Sequence, residues 1–319
     1  MAVYTEVADD ALRAFLSNFD IGELVRKIPI AEGVENSNYR IDTTTNSFIL
    51  TLFEKRVQEE DLPFFMALTG YLAKQGLPVA APIADNNGAI IKRLAGRPAT
   101  IVQFLNGRPH MTPSENDCAQ LGAVLASLHS NAPGFVQERV NPLSLDGWPE
   151  LANACRAGAD RCAEGLAAAI DNECKFLSAN WPSALPRGVI HSDLFPDNVL
   201  FDGDEISGVI DFYFSCTDCF AYDLAVCINA WCFDENGEFQ PENAKTLVAS
   251  YSVGRRLNSE ERAALPILLR GSALRFLLTR LYDWLNQVEG ALVTVKDPLP
   301  FWRILTFHQK HSNPSLYGL

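Results

Sequence analysis

Alternating runs of apolar and polar residues dominate the first hundred positions, after one segment with helical spacing. In residues 5–19 the apolar positions recur every three or four residues, which predicts an amphipathic helix. Five later runs have the alternation and the β-branched and aromatic residues of strands, at 24–30, 37–44, 46–54, 89–94 and 99–104. A helical pattern over 57–76, which ends at Gly76, is inserted after the third strand. The first part of the chain is therefore predicted to form a small five-stranded antiparallel sheet with one inserted helix.

Beyond residue 106 the pattern changes to long helical segments. Gly107 and Pro109, in "LNGRPHM", interrupt the strand pattern and predict a linker. Thr112 as the N-cap and Glu115 as its capping-box partner then predict the start of a helix. The remaining chain is mainly helical except for short β runs within 189–212. We predict an α+β protein of two lobes, a small lobe over 1–106 that includes the linker and a larger, mainly helical lobe over 107–319. Two lobes form a cleft, where ligands usually bind.

Length and charge limit the classes of function. The chain has 319 residues and 48% hydrophobic residues, enough for about two domains at ~150 residues each. Its formal net charge of −13 argues against binding nucleic acid, because that affinity comes from clustered Lys and Arg. The sequence has neither a signal-peptide pattern nor an apolar run of membrane-spanning length, so we predict a soluble, cytoplasmic protein without a membrane partner. The acidity is mainly explained by solubility, and an acidic pocket for a cationic substrate is the alternative.

The eight cysteines raise the question of a metal site. Cys216 and Cys219 form a CxxC pair, with Cys227 and Cys232 following closely. On a helix the last two would lie ~140° apart, so they would not converge on one ion. We therefore favour buried structural thiols over a zinc site.

Several polar residues lie between apolar runs in "VIHSDLFPDNVLFDGDEISGVIDF", residues 189–212. Asp193 follows a short β run, where its carboxylate can orient a hydroxyl and accept its proton. Asn198 on the same loop and Asp211 after the next β run offer the oxygen ligands that Mg²⁺ prefers. One base and two metal ligands are the parts of a phosphoryl-transfer site. In isolation, Asp193 could also be a solvated loop residue and Asn198 a turn former. For His191 we favour a structural role, as a buried histidine that orders the loop.

This stretch resembles a known catalytic loop. "HSDLFPDN" is similar to the H-x-D-x-x-x-x-N loop of the protein-kinase-like superfamily, and in particular of its small-molecule branch, the aminoglycoside phosphotransferase-like kinases. "VIDF" resembles the metal-binding segment of that branch, and "AYDLA" resembles the segment whose aspartate braces the loop. The resemblance implies a two-lobed protein-kinase-like fold, with ATP and Mg²⁺ as cofactors. It assigns Asp193 as the base, Asn198 and Asp211 as magnesium ligands, and Asp223 as the brace.

Two segments of the small lobe extend the resemblance to the nucleotide. "IPIAEGVENSNYRI" resembles the phosphate-covering loop, which implies that Gly33, Asn36 and Ser37 place backbone N–H groups near the phosphates. A simple hairpin turn would use the same residues. "VQFLNG" resembles the interlobe linker, where the backbone of Gln103 and Leu105 would bind adenine.

One position departs from the family pattern. Kinases carry a lysine in the third strand that binds the α- and β-phosphates, and the alignment of "FILTLFE" places Thr51 there. Lys55 lies four residues further on and would face the same side of a continuing strand. Lys55 or Arg56 could substitute, or either could be an ordinary surface charge. The departure puts in question how the nucleotide is held.

The chain as a whole resembles the bacterial homoserine kinases of this fold, through "FILTLFEKRV", "IDFYFSCTDCFAYDLAVCINAWCF" and "KDPLPFWRIL". The resemblance implies transfer of the γ-phosphate of ATP to the hydroxyl of L-homoserine, giving O-phospho-L-homoserine in threonine biosynthesis. The alternatives are a kinase of choline, ethanolamine or an aminoglycoside, and a non-catalytic nucleotide-binding module. The sequence predicts no oligomeric state. Candidates for the groups that bind the acceptor's ammonium and carboxylate, each of which could equally be structural, are Tyr213, Trp231, Asp234, Arg275 and Arg280.

Overall fold

The computed structural model describes residues 5–30, 36–54, 57–287 and 295–319. The chain divides into two compact units. The first contains the described residues up to Gly107 together with Ser207–Tyr213, and the second contains Arg108–Ile206 and the described residues after Tyr213. The predicted boundary left all residues after 106 in the larger lobe, whereas the structure groups 207–213 with the first unit.

An antiparallel sheet of six strands forms the centre of the first unit. The strand order is β1-β2-β3-β6-β4, and β5 also pairs with β6. The predicted count of five strands was wrong by one, because β4 has only two residues and is too short to show alternation. The strands are β1 Leu24–Pro29, β2 Ser37–Thr43, β3 Ser47–Leu52, β4 Pro82–Ile83, β5 Lys92–Leu94 and β6 Arg97–Gln103.

Two helices belong to this unit, α1 (Asp9–Leu16) and α2 (Leu62–Lys74). The apolar face of α1 is buried together with the sheet, since Leu12 and Ile41 are both fully buried in one core cluster. After α2 the chain passes through Gly76 with a φ of +83°, a left-handed conformation that glycine adopts at little cost. The amphipathic helix and the glycine stop that the sequence predicts are both confirmed.

Among the remaining residues that the structure describes are seven helices and four short strands. Strand β7 pairs antiparallel with β10, and β8 pairs with β9. None of the helices in the described parts of the chain has the length and hydrophobicity needed to cross a bilayer. The elements are α3 Glu115–Asn131, α4 Trp148–Cys162, α5 Leu166–Asn180, β7 Arg187–Ile190, β8 Val199–Asp202, β9 Glu205–Val209, β10 Cys216–Cys219, α6 Phe220–Trp231, α7 Pro241–Gly254, α8 Ser259–Leu285 and α9 Leu299–Lys310.

Helix α3 begins two residues later than predicted. Its N-cap is Ser114, whose Oγ accepts the Asp117 amide N–H at 3.2 Å, while the Asp117 carboxylate accepts the Ser114 N–H at 2.9 Å. The predicted cap at Thr112 with Glu115 was wrong, because the aspartate completes the same reciprocal capping box from a different register.

A glycine allows α3 and α7 to approach closely. A Cβ atom built on Gly122 would lie 2.4 Å from the backbone oxygen of Leu247. The close approach brings Tyr251 of α7 to His129 of α3, where the hydroxyl lies 2.8 Å from Nδ1. This contact supports the loop described below.

A buried histidine links α9 to α6. His308 Nδ1 lies 2.8 Å from the Tyr317 hydroxyl, and Nε2 lies 2.7 Å from Asn229 Oδ1. Burial lowers the pKa of His308 to about 3. The ring is therefore neutral near pH 7, with Nε2–H donating to the amide oxygen and Nδ1 accepting from the hydroxyl.

Candidate active site

Asp193 and Asn198 lie on the loop between β7 and β8, as the sequence predicts. The Asp193 side chain is partly exposed, and Asn198 ends a short 3₁₀ turn, Pro196–Asn198. Asn198 Nδ2 donates to the Asp193 backbone oxygen at 2.8 Å and approaches its Oδ2 at 3.4 Å. Because the amide nitrogen must be the donor in the first contact, the orientation of the amide is determined. Asn198 Oδ1 is thus the end that can ligand a cation.

Asp223, at the start of α6, hydrogen-bonds the backbone of this loop. Its Oδ2 accepts the His191 amide N–H at 2.8 Å, and its Oδ1 accepts the Ser192 amide N–H at 2.7 Å. The side chain is fully buried. These contacts confirm the predicted bracing role of Asp223, since they fix the two residues that precede Asp193.

A third donor reaches the same carboxylate from α3. His129 Nε2 lies 3.2 Å from Asp223 Oδ2, and both side chains are fully buried. Burial raises the pKa of Asp223, but hydrogen bonds from His129 and from the His191 backbone outweigh it and leave the pKa below its ordinary value. Burial lowers the pKa of His129 despite its acidic neighbour. We therefore assign a neutral His129 that donates its Nε2–H to an ionised Asp223, while Nδ1 accepts from Tyr251.

Ser192 has a strained backbone that an arginine supports. Its φ is +69°, in the left-handed region that non-glycine residues rarely adopt. Arg275 Nη1 of α8 donates to the Ser192 backbone oxygen and, at 2.7 Å, to its Oγ.

His191 is fully buried, and its Nδ1 accepts the Asp193 amide N–H at 3.2 Å. The predicted role of His191 in ordering the loop is confirmed.

Asp211 lies in the first unit, after β9. The Val209 amide N–H donates to the Pro78 oxygen at 2.7 Å, which ties this segment to the chain after α2. Asp211 has a φ of +63°, a conformation that aspartate tolerates better than most residues. Tyr213 is then held edge-on by Phe53, with ring centroids 5.2 Å apart.

Of the three residues predicted to lie near the phosphates, the structure describes two. Gly33 lies outside the described residues, whereas Asn36 and Ser37 are both buried at the start of β2. The Ser37 hydroxyl donates to Glu54 Oε1 at 2.7 Å, and Asn36 Oδ1 accepts the Glu54 amide N–H at 3.3 Å. Their side chains thus connect β2 to the end of β3, and contact with phosphate stays a prediction.

The comparisons with known proteins agree with this geometry. Residues 27–256 match the profile of the phosphotransferase enzyme family. The chain belongs to this family. Membership confirms the predicted resemblance to small-molecule phosphotransferases and makes ATP-dependent phosphoryl transfer to an alcohol the class of activity.

Relatives of known name cover the whole chain. A homoserine kinase of Xanthobacter autotrophicus is 52% identical over 319 residues, covering 100% of this chain and 99% of that protein. A homoserine kinase of Mesorhizobium japonicum is 49% identical over 319 residues, covering 100% of both.

Among solved structures, that of the microcompartment-associated aminopropanol kinase superposes with a TM-score of 0.72, covering 98% of this chain and 99% of that one. Its 18% sequence identity limits the inference to the fold. The kinase-like α+β fold class predicted from the catalytic motif is confirmed.

In this phosphotransferase the third-strand lysine position is a buried threonine. The Thr51 hydroxyl donates to Asn38 Oδ1 at 2.8 Å. The substitutes considered from the sequence, Lys55 and Arg56, lie outside the described residues. A hydrogen-bonded pair of neutral side chains, Thr51 and Asn38, therefore occupies the position at which other kinases carry the cation.

The linker residues Gln103 and Leu105 lie at and just beyond the end of β6. The Gln103 amide N–H donates to the Ala81 oxygen at 3.0 Å. This amide is therefore used within the sheet, so a contact of Gln103 with adenine would be made by its carbonyl group.

The structure separates the acceptor candidates. Trp231 is buried and donates its indole N–H to the Leu194 oxygen at 2.8 Å, and Asp234 accepts the amide N–H groups of its own turn. Arg275 is 2% exposed, and its Nη1 donates to Ser192 Oγ. Tyr213 was expected in the helical lobe but belongs to the first unit. Four candidates thus have structural explanations, which leaves Arg280.

The clustered cysteines lie in buried positions, and their role as structural thiols stays a prediction. Cys216, Cys219, Cys227 and Cys232 are all buried and unbridged. Burial raises the pKa of Cys216 and of Cys219 to about 12 each. Because metal binding requires the thiolate, this environment disfavours it.

Sequence reasoning missed the support that reaches the loop from distant helices. His129 lies 94 positions from Asp223, and Arg275 lies 83 positions from Ser192. Neither residue belongs to a recognisable motif. A histidine in the last turn of a helix or an arginine in an apolar helix gives no signal of the loop it will contact.

Proposed function

We propose that this protein transfers the γ-phosphate of ATP to the hydroxyl of L-homoserine, giving O-phospho-L-homoserine. The observation that carries the proposal is identity of about half over the full length with proteins named homoserine kinase, 52% and 49% for the two described above. Identity of about half over the full length supports a shared acceptor, whereas the 18% identity of the solved structure described above supports only the fold.

Asp193 is proposed as the catalytic base. Its carboxylate is partly exposed at the surface of the second unit, while the residues on both sides are fixed by Asp223 and Trp231 through backbone hydrogen bonds. A rigid backbone with an accessible carboxylate can align a hydroxyl and accept its proton as the bond to phosphorus forms.

Asn198 and Asp211 are proposed as the magnesium ligands. The oriented Asn198 Oδ1 fits this role, and a carboxylate with an amide oxygen is a donor set that Mg²⁺ accepts together with phosphates and water. When bound, Mg²⁺ neutralises charge on the β- and γ-phosphates. The contribution of the chain is to hold each ligand at a fixed backbone position, in the loop for Asn198 and after β9 for Asp211.

The nucleotide is proposed to bind through backbone groups of the first unit. The Gln103 carbonyl and the Leu105 backbone would contact adenine, since the Gln103 N–H is already used. Backbone groups of Gly33, Asn36 and Ser37 would contact the phosphates. Since Asn36 precedes β2 and Ser37 begins it, such contact would be made at the start of that strand.

Choline-type acceptors are less well supported. A quaternary ammonium needs an aromatic cage. Of the aromatic residues at the loop within the second unit, Trp231 is buried and donates to the Leu194 oxygen, and Phe195 packs against Phe276 and Phe301. These rings are used in packing.

An acceptor screen tests the proposal. Release of ADP in the presence of Mg²⁺ is measured with L-homoserine, L-serine, choline, ethanolamine and an aminoglycoside, and the product is identified by phosphorus NMR. We expect turnover with L-homoserine to exceed that with each other acceptor by at least about tenfold, which corresponds to about 1.4 kcal/mol of transition-state discrimination. A higher rate with any other acceptor would refute the proposed substrate.

The variant Asp193→Asn separates catalysis from nucleotide binding. We expect it to retain ATP affinity and to lose at least about 100-fold in kcat, as removal of a general base usually does. Asp197→Asn, four positions along the same loop, is the matched control with a small expected effect. ATP binding without turnover of any acceptor by the unmodified protein would favour the non-catalytic alternative.

A further inference from the structure

Arg280 of α8 lies beside the proposed catalytic loop. Its guanidinium carbon is 4.5 Å from the ring centroid of Phe301 and 5.8 Å from that of Phe195. Phe195 follows Asp193 by two positions, and its amide N–H donates to the Asp193 oxygen at 2.9 Å. The two rings restrict the arginine side chain and keep the guanidinium close to the base.

The charge of Arg280 is partly buried and poorly compensated. Among the described residues its hydrogen bond is a single long contact, 3.3 Å from Nη1 to the Asp297 backbone oxygen. Among the described residues no carboxylate lies within ion-pair distance of it, whereas Arg255 and Arg270 pair with Glu261 and Glu173 at 2.8 and 2.7 Å.

Partial burial of an uncompensated cation is unfavourable. Burial lowers the pKa of Arg280, while the negative charges of Asp193, Asp197 and Asp297 oppose this. Arginine remains protonated in proteins, so the group is a cation with unused donors. Such a group can bind an anion.

The neighbouring cation Lys296 is less suited to this role. Its Nζ already pairs with Asp197 Oδ2 at 2.9 Å, and its side chain is 55% exposed. Arg275, also close to the loop, donates through Nη1 to Ser192, and its Nε, which has no hydrogen-bond partner, is buried in a side chain that is 2% exposed. Of these three cations, Arg280 is therefore the one that is both partly exposed and without an ion pair.

We propose that Arg280 binds the carboxylate of the amino-acid acceptor and so selects amino acids over amino alcohols. This inference rests on the proposed function. L-Homoserine carries one carboxylate, separated by only three carbon atoms from the hydroxyl that Asp193 must reach, so its anion-binding group must lie near the loop. The planar guanidinium can hold both carboxylate oxygens at once.

The test compares L-homoserine with 3-aminopropan-1-ol, the same molecule without its carboxylate. The ratio of kcat/KM for the two acceptors is measured in the unmodified protein and in Arg280→Gln, Arg280→Lys and Arg262→Gln. We expect Arg280→Gln to reduce the ratio about 100-fold, equivalent to about 2.7 kcal/mol. Arg280→Lys, which keeps the charge but not the paired donors, is expected to reduce it about tenfold. Arg262 is an exposed arginine of the same helix, and its variant is expected to keep the ratio.

The ratio distinguishes a binding role from a general one. An effect of the substitution on the fold, on Asp193 or on ATP binding lowers kcat/KM equally for both acceptors and leaves their ratio unchanged. An unchanged ratio in a protein that prefers L-homoserine overturns the role of Arg280 and leaves the proposed function intact. Preference of the unmodified protein for the amino alcohol overturns both. Where turnover of the amino alcohol is too slow to measure, dissociation constants of the two compounds give the same comparison, and Arg280→Lys provides the result if Arg280→Gln does not fold.

Discussion

The variant Asp223→Asn tests whether the loop depends on one buried carboxylate. In the native protein Oδ1 accepts the Ser192 N–H, and Oδ2 accepts both the His191 N–H and His129 Nε2–H. Asparagine keeps the shape of the side chain but replaces one oxygen by an NH₂ group. Whichever way the amide is turned, a donor then faces a donor.

The least costly orientation indicates the magnitude. With the amide oxygen in place of Oδ2, the contacts to His191 and His129 survive, and the NH₂ group faces the Ser192 N–H. One backbone donor and the new NH₂ group are then both buried without acceptors, at about 1–3 kcal/mol each. We therefore expect a loss of about 4 kcal/mol in the free energy of unfolding, which lowers the melting temperature by about 6 °C for a chain of this size. Displacement of the loop by about 1 Å would also reduce kcat about 100-fold.

Urea denaturation and steady-state kinetics measure the two effects. Asp218→Asn is the matched control, because Asp218 is partly exposed on β10 and accepts Asn141 Nδ2 at 2.8 Å. We expect this control to lose less than about 1 kcal/mol. If Asp223→Asn matches the control in both stability and kcat, the carboxylate does not hold the loop and the bracing argument is wrong.

Three further predictions concern packing and pH. Trp231→Phe removes the indole donor to the Leu194 oxygen, and we expect a loss of about 1–3 kcal/mol in urea denaturation together with a lower kcat; full stability would contradict the importance of that contact. Gly122→Ala places a methyl group against the Leu247 oxygen, and we expect a loss of about 2 kcal/mol or more, since the helices must separate; an unchanged melting temperature would show that they can. Burial lowers the pKa of His308 to about 3 from an ordinary 6.5, so between these pH values the unfolded chain binds a proton that the folded chain does not. The free energy of unfolding should therefore fall as the pH decreases through this window, by up to about 1.4 kcal/mol per pH unit from this group, and His308→Gln should reduce the slope; an equal slope in the variant would contradict the assignment.

Local patterns were sufficient for most of the secondary structure and for the catalytic loop. The order of Asp193 and Asn198 between two β runs was visible because a motif of contiguous residues carries its own geometry. Strand β4 was not, since two residues show no period. The predicted start of α3 was two residues too early. Serine, threonine and two acidic residues offer two capping registers, and only the hydrogen bonds of the folded chain decide between Thr112 and Ser114.

The sequence by itself determined the reaction class, because the proposed base and the proposed amide ligand lie within one short loop whose spacing matches that of the family. The tertiary structure alone decided which of two arginines on α8 has capacity for a ligand. Arg275 and Arg280 are five positions apart, about 140° around the helix. No sequence pattern distinguishes the two arginines. Packing buries Arg275 against Ser192 and leaves Arg280 between two phenylalanine rings beside the loop. The physical reason is that a side chain's role depends on what lies opposite its face of the helix, and that neighbour comes from a distant part of the chain.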